Sequence, residues 1–580
     1  MAVTATRGSL RTRLTKLTAL VGAAILGSTA LVACGTDEEG VSKAMTPSEP
    51  TVVDNPGDAT RAFLNESNLM VVSTAGPENE HRAAAIAVAA GAPMLLLQNE
   101  ETDAFAQQRI DELSEVDPLE SVQEAQAESD ELHYWTNADL GESAEDIREE
   151  LDRLSTTHVI TVGDVDAEAL GDRTVVADDG TNDGATQLTG TDFSTAETSV
   201  NLARDISEMD RDKPSAPEID GAGSGDDEVD IPSLSVTGHD DIVVFASAET
   251  SVSTIATARA AGQDVMYLAT PDPRATSESI AAVREGRAVI ALGSAFGDEE
   301  RLKRHIDLAA DESIPELDIA GGGQMLFPGR RMVAVYGHPG APVLGVMGEE
   351  SPEEAVADAT ARAEAYGEFV DEPVVPMFEV ITSIAHSEPG DDGTYSGIAD
   401  SQTLEPYIDA ITEAGGYVVL DLQPGHATFL DQAKQIEDLL KRPNVGLALD
   451  PEWRMPNGEA PGQVIGHVEA DEINEVSEWL AELTRENNLP QKMFLLHQFR
   501  IDMIPDRDRV NVDHPELSFV LHADGHGTPS EKLATWNLLV DDLPPEMFPA
   551  WKNFIDEDQP MFTPEETADV YPTPWVVTYQ

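Results

Sequence analysis

The chain has 580 residues and a net charge of −74, with 109 acidic side chains against 35 basic ones. That excess excludes nucleic acid as a partner, because binding would press like charges together, and it opposes anionic wall polymers unless cations bridge them. A single cysteine excludes any intramolecular disulfide.

Arg7, Arg11, Arg13 and Lys16 form a basic start without acids, followed by an apolar run over 17–33. The run is short and rich in small residues, so 1–33 reads as a signal peptide rather than a membrane span. Leu31-Val32-Ala33-Cys34 resembles the lipobox of bacterial lipoproteins. That resemblance implies lipid on Cys34, a membrane partner held through it, and a location on the extracytoplasmic face; an ordinary secretory signal is the alternative. No later run of about eighteen apolar residues predicts a second crossing. Residues 34–60, acidic and Pro-containing, read as a flexible tether.

Two stretches then alternate short apolar strands with Ala-rich helices, predicting small parallel α/β modules over 61–180 and 239–312. LMVVS (69–73), an Ala-rich helix, PMLLL (93–97) and HVITVGD (158–164) make the first. DIVVFAS (241–247), STIATARAAGQ (253–263), DVMYLAT (264–270) and AVIALGS (288–294) make the second. Both place Ala-Ala-Gly before the second strand, at 89–91 and 260–262, and end a β-branched strand in glycine, at Gly163 and Gly293. In these features the chain resembles the cell wall-binding repeat 2 family, which usually carries three tandem repeats where this chain has two. The first copy carries a long acidic insertion near 98–157. Residues 181–238, rich in Asp, Gly, Ser and Thr, read as an acidic linker. Its Gly-x-Gly and Gly321-Gly322-Gly323 lack the strand and helix of a dinucleotide loop, so no cofactor is expected.

After a connector at 313–331, residues 332–580 alternate strand and helix candidates. The strands are MVAVYGHPG (332–340), VVPMFEVITSI (374–384), YVVLDLQPG (417–425), VGLALDPEW (445–453), KMFLLHQFR (492–500), LSFVLHADGHG (517–527) and WVVTYQ (575–580), with a weak one near 551–555. Eight units in about 250 residues is the size of a (β/α)8 TIM-type barrel. An open doubly wound sheet is the alternative.

Each strand candidate is apolar at its start and polar at its end, and barrel enzymes place their chemistry at those ends. The polar tips are His338, Glu379, Asp421 with Gln423, Asp450 with Glu452 and Trp453, His497 with Gln498, His522 with Asp524, and Tyr579 with Gln580. Glycoside hydrolysis needs one protonated and one ionised carboxyl, and crowded acids push each other's pKa apart. Glu452 is the candidate acid/base, Asp450 or Asp421 the nucleophile or orienting group, and Glu379 the reserve. The other tips are candidate substrate-binding groups, with Trp453 suited to stack on a sugar. His338, His497, His522, Asp524 and His526 offer metal-ligand chemistry, but no His-x-His or His-Glu-x-x-His spacing supports it, so no metal set is assigned. Ser383 and Ser396 lack a nucleophile elbow, and Cys34 is reserved for lipid.

The segments GGGQMLFPGRRMVAVYGHPG, FEVI with PGDDGTYS, VVLDLQPG, LALDPEWRMP, LHQFRIDMI, HADGHGTP, WKNFIDED and TYQ are similar to a set of actinobacterial cell-envelope proteins that join wall-binding repeats to a glycosidase-like barrel. The resemblance implies the barrel and brings no reaction. The expected function is hydrolysis or remodelling of cell-envelope polysaccharide, with cell-wall polysaccharide as partner. The rivals are a non-catalytic wall-binding scaffold and a metal-dependent hydrolase of an envelope ester or phosphodiester.

Overall fold

The computed structural model describes residues 47, 49–98, 107, 141–199, 201–219, 231–232, 241–544 and 546–580. The signal peptide, Cys34, the start of the tether, most of the acidic insertion and the end of the linker lie outside the described residues. Among the described residues no helix is long and apolar enough to cross a membrane.

In the N-terminal part, short β-branched runs form β1 (Thr51–Val53), β2 (Leu69–Ser73), β3 (Met94–Leu96), β4 (His158–Val162), β5 (Thr174–Ala177), β6 (Ser194–Thr195), β7 (Ser215–Ala216), β8 (Ile242–Ala246), β9 (Val265–Tyr267) and β10 (Ala288–Leu292). They assemble two four-stranded sheets, β3-β2-β4-β5 and β1-β10-β8-β9, and a small pair β6-β7. All of these pairs are parallel. The central strands β2 and β8 are buried along their whole length, which is why they are continuous apolar runs rather than alternating ones. The shared Ala-Ala-Gly has a local cause. Gly91 (φ 69°) caps the helix Pro77–Ala90, and Gly262 (φ 81°) follows the helix Val252–Ala260; glycine adopts this left-handed geometry without a Cβ clash. The two Ala-rich helices pack against each other, and Thr257 Oγ1 bridges the backbone of Met94, accepting from its N–H (3.0 Å) and donating to its carbonyl (3.2 Å).

Two expectations are corrected here. Residues 51–60, assigned to the tether, form β1 and open a helix. β1 covers the edge of β10, while the Asn55 side chain accepts from Asp58 N–H and Pro56 starts the helix Pro56–Phe63. Part of the 181–238 linker is also regular, with helices Asn182–Thr189 and Leu202–Glu208. The buried Arg82 explains this order. Its guanidinium donates to Asp178 Oδ2 (2.5 Å) and Oδ1 (2.9 Å), to Asn182 Oδ1 and to the carbonyls of Thr181 and Pro217. A cation at zero exposure needs those acceptors, so the linker backbone is drawn in to supply them.

In the C-terminal region the strands are β11 (Arg331–Gly337), β12 (Val374–Ile381), β13 (Ser383–Ala385), β14 (Ser396–Ile398), β15 (Tyr417–Leu422), β16 (Val445–Leu449), β17 (Lys492–Gln498), β18 (Leu517–Ala523), β19 (Met547–Asn553) and β20 (Val576–Tyr579). Eight of them close a parallel barrel in the order β11-β12-β15-β16-β17-β18-β19-β20, and β13-β14 form a rim hairpin. The β11–β20 pairing, Met332↔Val576 through Val335↔Tyr579, completes the ring and excludes the open sheet. The expected barrel is therefore present, its weak strand running Met547–Asn553. Outward residues meet helices such as Pro352–Tyr366, Ser401–Glu413, Ala470–Glu486 and Pro529–Val540. After β17 the crossover carries only short 3-10 turns, Ile501–Met503 and Arg507–Arg509. Inward residues form a second core, floored at the strands' N-terminal ends by Leu317, Ile319, Leu326 and Phe327 of the connector.

Candidate functional site

Side chains two apart on a strand share a face. Ala334, Met377, Val419, Ala448, Leu495, Val520, Ala550 and Val576 all belong to the inner core. Two residues further along the chain come Tyr336, Glu379, Asp421, Asp450, His497, His522, Lys552 and Thr578. Every barrel strand thus delivers one polar group to its carboxyl end, and all eight are buried, none more than 4% exposed. They form one polar ring over an apolar plug.

His497 stands at its centre. Its Nε2 lies 2.6 Å from Glu379 Oε1 and 3.9 Å from Asp421 Oδ1, and its Nδ1 lies 2.9 Å from Asp524 Oδ2. His522, its register partner on β18, sits ring to ring at 4.7 Å, with Nδ1 3.8 Å from Glu379 Oε1 and Nε2 2.9 Å from Thr578 Oγ1. The Tyr336 hydroxyl donates to Asp421 Oδ2 at 3.0 Å, and the Lys552 ammonium rests 3.8 Å over the Tyr336 ring and 3.9 Å from Asp524. Glu452 and Trp453 are half-buried in a 3-10 turn that Asp450 caps by accepting from Glu452 N–H (3.2 Å). No hydrogen-bond donor among the described residues meets the Glu452 carboxylate.

Burial and charge spread the protonation states. Burial pushes the Asp421 carboxyl up to about 6, with His497 opposing and Glu379 adding to the rise. Burial and the charge of Asp524 push Glu452 up to about 7 against the pull of Lys552 and His497. Asp450 is raised well above the carboxylate range by burial and by Glu452. Asp524 goes the other way: burial opposes ionisation, but the hydrogen bond and charge of His497 outweigh it. Burial likewise works against a charged His497, yet Glu379 and Asp524 together raise its pKa well above the usual value. His522 is held neutral by burial and by the charge on His497. One basin thus holds a protonated acid, an ionised acid and a cation at the same pH, the combination that acid–base hydrolysis requires.

The structure brings together Glu379, Asp421, Asp450, His497, His522 and Asp524, and charge interactions tie Glu452 to them. His338 is half-buried beside them, its Nδ1 2.7 Å from the Ile381 carbonyl. Gln423 is spent locally, accepting from Ala385 N–H at 3.3 Å. Three assignments are corrected. Gln498 shares the outward face of Phe494 and Leu496; it donates to the Arg500 carbonyl and accepts from Arg507. Tyr579 also faces outward, its hydroxyl 2.8 Å from that of Tyr366 and its ring under Arg362. Gln580 closes the strand end by its backbone, bonding to Asn553 and Ile555. Tyr336, Lys552 and Thr578 were not singled out from sequence, although the alternations Met-x-Ala-x-Tyr, Phe-x-Ala-x-Lys and Val-x-Thr carried the signal.

A cavity lies at the other end of the strands. It measures about 520 Å³ and is lined by Asp272, Arg274 and His305 of the second module with Phe327, His514 and Phe548. It contains none of the ring residues, whose crowded and shifted groups gather at the opposite end. No family model matches the chain, and a search of curated proteins finds no match either.

Proposed function

We propose that this chain hydrolyses or remodels cell-envelope polysaccharide at the carboxyl end of its barrel. Glu452 is the proton donor, and Asp450, buried beside it, orients the reacting water or sugar. One observation carries the reading: Glu452 stands at the half-exposed edge of the ring, free of donors, raised to about 7 and next to the half-exposed indole of Trp453. A carboxyl so placed is protonated near neutral pH and open to a sugar oxygen, whereas Glu379 and Asp421 lie at zero exposure. Asp421 is a positioning group in this reading. In this reading lipid on Cys34 holds the protein on the outer face of a membrane, and the two α/β modules, which resemble the cell wall-binding repeat 2 family, orient the barrel toward the wall. A non-catalytic scaffold is the second reading, favoured by the near-complete burial of the ring.

The test is release of new reducing ends from purified wall polysaccharide by the full chain and by Trp453→Ala. The proposal expects product from the wild type and a several-fold higher KM in the variant. No product under any tested condition sinks the hydrolase reading and leaves the scaffold.

A further inference from the structure

We propose that Glu379, His497 and His522, with Asp421 as fourth donor, form a binding site for one divalent first-row metal ion of the zinc class on the floor of the barrel mouth.

The geometry has three independent parts. First, a ligand atom from each of Glu379, His497 and His522 lies within 4.8 Å of the other two. Donors held at zinc distances of about 2.0–2.2 Å lie roughly 3–3.5 Å from each other. The separations of 2.6, 3.8 and 3.9 Å among Glu379 Oε1, His497 Nε2, His522 Nδ1 and Asp421 Oδ1 straddle that range.

Second, these atoms are orphans. Glu379 Oε1 and Oε2, Asp421 Oδ1, His497 Nε2 and His522 Nδ1 are buried and have no hydrogen-bond partner. The 2.6 Å contact of His497 Nε2 with Glu379 Oε1 is a charge contact, and neither atom has an aligned hydrogen bond. Buried polar atoms are almost always partnered, so several orphans aimed at one point call for a missing partner.

Third, each histidine's other nitrogen is engaged. His497 Nδ1 meets Asp524 Oδ2 at 2.9 Å, which fixes the ring with Nδ1 as donor and leaves Nε2, once an ion displaces its proton, directed into the ring of donors. His522 Nε2 meets Thr578 Oγ1 at 2.9 Å and leaves Nδ1 free. Metal-bound histidines are oriented by such outer partners, commonly a carboxylate.

Charge points the same way. Five carboxyls, Glu379, Asp421, Asp450, Glu452 and Asp524, crowd around two cationic side chains, Lys552 and His497, and a dication would favour their ionised forms. Two imidazoles with carboxylate oxygens and no thiolate suit zinc, manganese or ferrous iron better than calcium. Sequence spacing hid the set, since its members come from strands far apart in the chain and meet only through barrel register. The inference does not depend on Glu452 as proton donor.

The experiment reads metal content and melting temperature rather than turnover. Purified full chain is stripped with a chelator, then dialysed against Zn2+ or Mn2+ in excess Ca2+, which occupies surface carboxylates. The wild type is expected to retain about one ion per chain and to melt at a higher temperature with it. Asp524→Asn should weaken binding about 10–100-fold, and His522→Ala at least as much. Glu452→Gln should bind like the wild type, which separates this site from the hydrolase reading. Failure of the wild type to retain either ion overturns the proposal. So does equal retention by folded His522→Ala. If that variant does not fold, the stoichiometry and melting shift of the wild type decide alone.

Discussion

Lys492 opens β17 at the barrel end remote from the polar ring, fully buried, its ammonium donating to the carbonyls of Arg442 (2.8 Å) and Val445 (2.9 Å). Burial alone pushes its pKa down from 10.5 to about 7. The unfolded lysine keeps its proton to about pH 10.4, so between that value and 7 the unfolded state binds more protons than the folded one. The contribution of Lys492 therefore rises with pH across this window, by up to about 1.4 kcal/mol per unit, or about 2 kcal/mol from pH 7 to 9. The contribution is complete above the unfolded pKa and is lost as pH falls toward 7. Lys492→Met abolishes the slope. It also takes one donor from each of the Arg442 and Val445 carbonyls, a cost that does not change with pH. Urea titrations at pH 7, 8 and 9, followed by tryptophan fluorescence, measure the difference, since Trp453, Trp479, Trp536, Trp551 and Trp575 all lie in the barrel region. The gap between wild type and variant should move by about 2 kcal/mol from pH 7 to 9. A constant gap would mean that Lys492 stays charged when folded, and would refute the burial argument.

Three further outcomes follow from particular contacts. Tyr579→Phe should cost about 1 kcal/mol, because it removes one of the hydrogen bonds of the buried Tyr366 hydroxyl; urea melts read the loss, and unchanged turnover confirms that this side chain is outside the mouth. Asp178→Asn leaves the Arg82 cation at zero exposure without its anion, a loss of about 3–5 kcal/mol; hydrogen exchange should show the first module opening while β11–β20 stay protected. If Glu452 donates its proton, kcat/KM should decline as pH rises through about 7, where the folded carboxyl ionises; a flat profile across that range speaks against it.

Much of the barrel was legible because each strand is apolar first and polar last, and five of the eight ring residues, Glu379, Asp421, Asp450, His497 and His522, followed from that rule, as did Glu452 and Asp524 at its edge. Parity was harder. Barrel strands are buried on both faces, so a tip such as Thr578-Tyr579-Gln580 offers polar groups on either side. The bulkier Tyr579 points to the helices and the small Thr578 to the lumen. Lys552 was missed because Met547–Asn553 (MFPAWKN) carries a proline in its middle, which masks the strand. Arg82 shows the same limit: nothing local in 181–238 announces a guanidinium waiting for its carbonyls. β1 pairs with a strand far downstream, a contact no window can contain.

The central claim is that the polar ring does its chemistry through Glu452. Steady-state kinetics of Glu452→Gln on wall polysaccharide test it most directly. The account predicts a kcat lower by about 10²–10⁴ with KM within a few-fold of the wild type, the signature of a lost proton donor in an intact site. An unchanged kcat would contradict it.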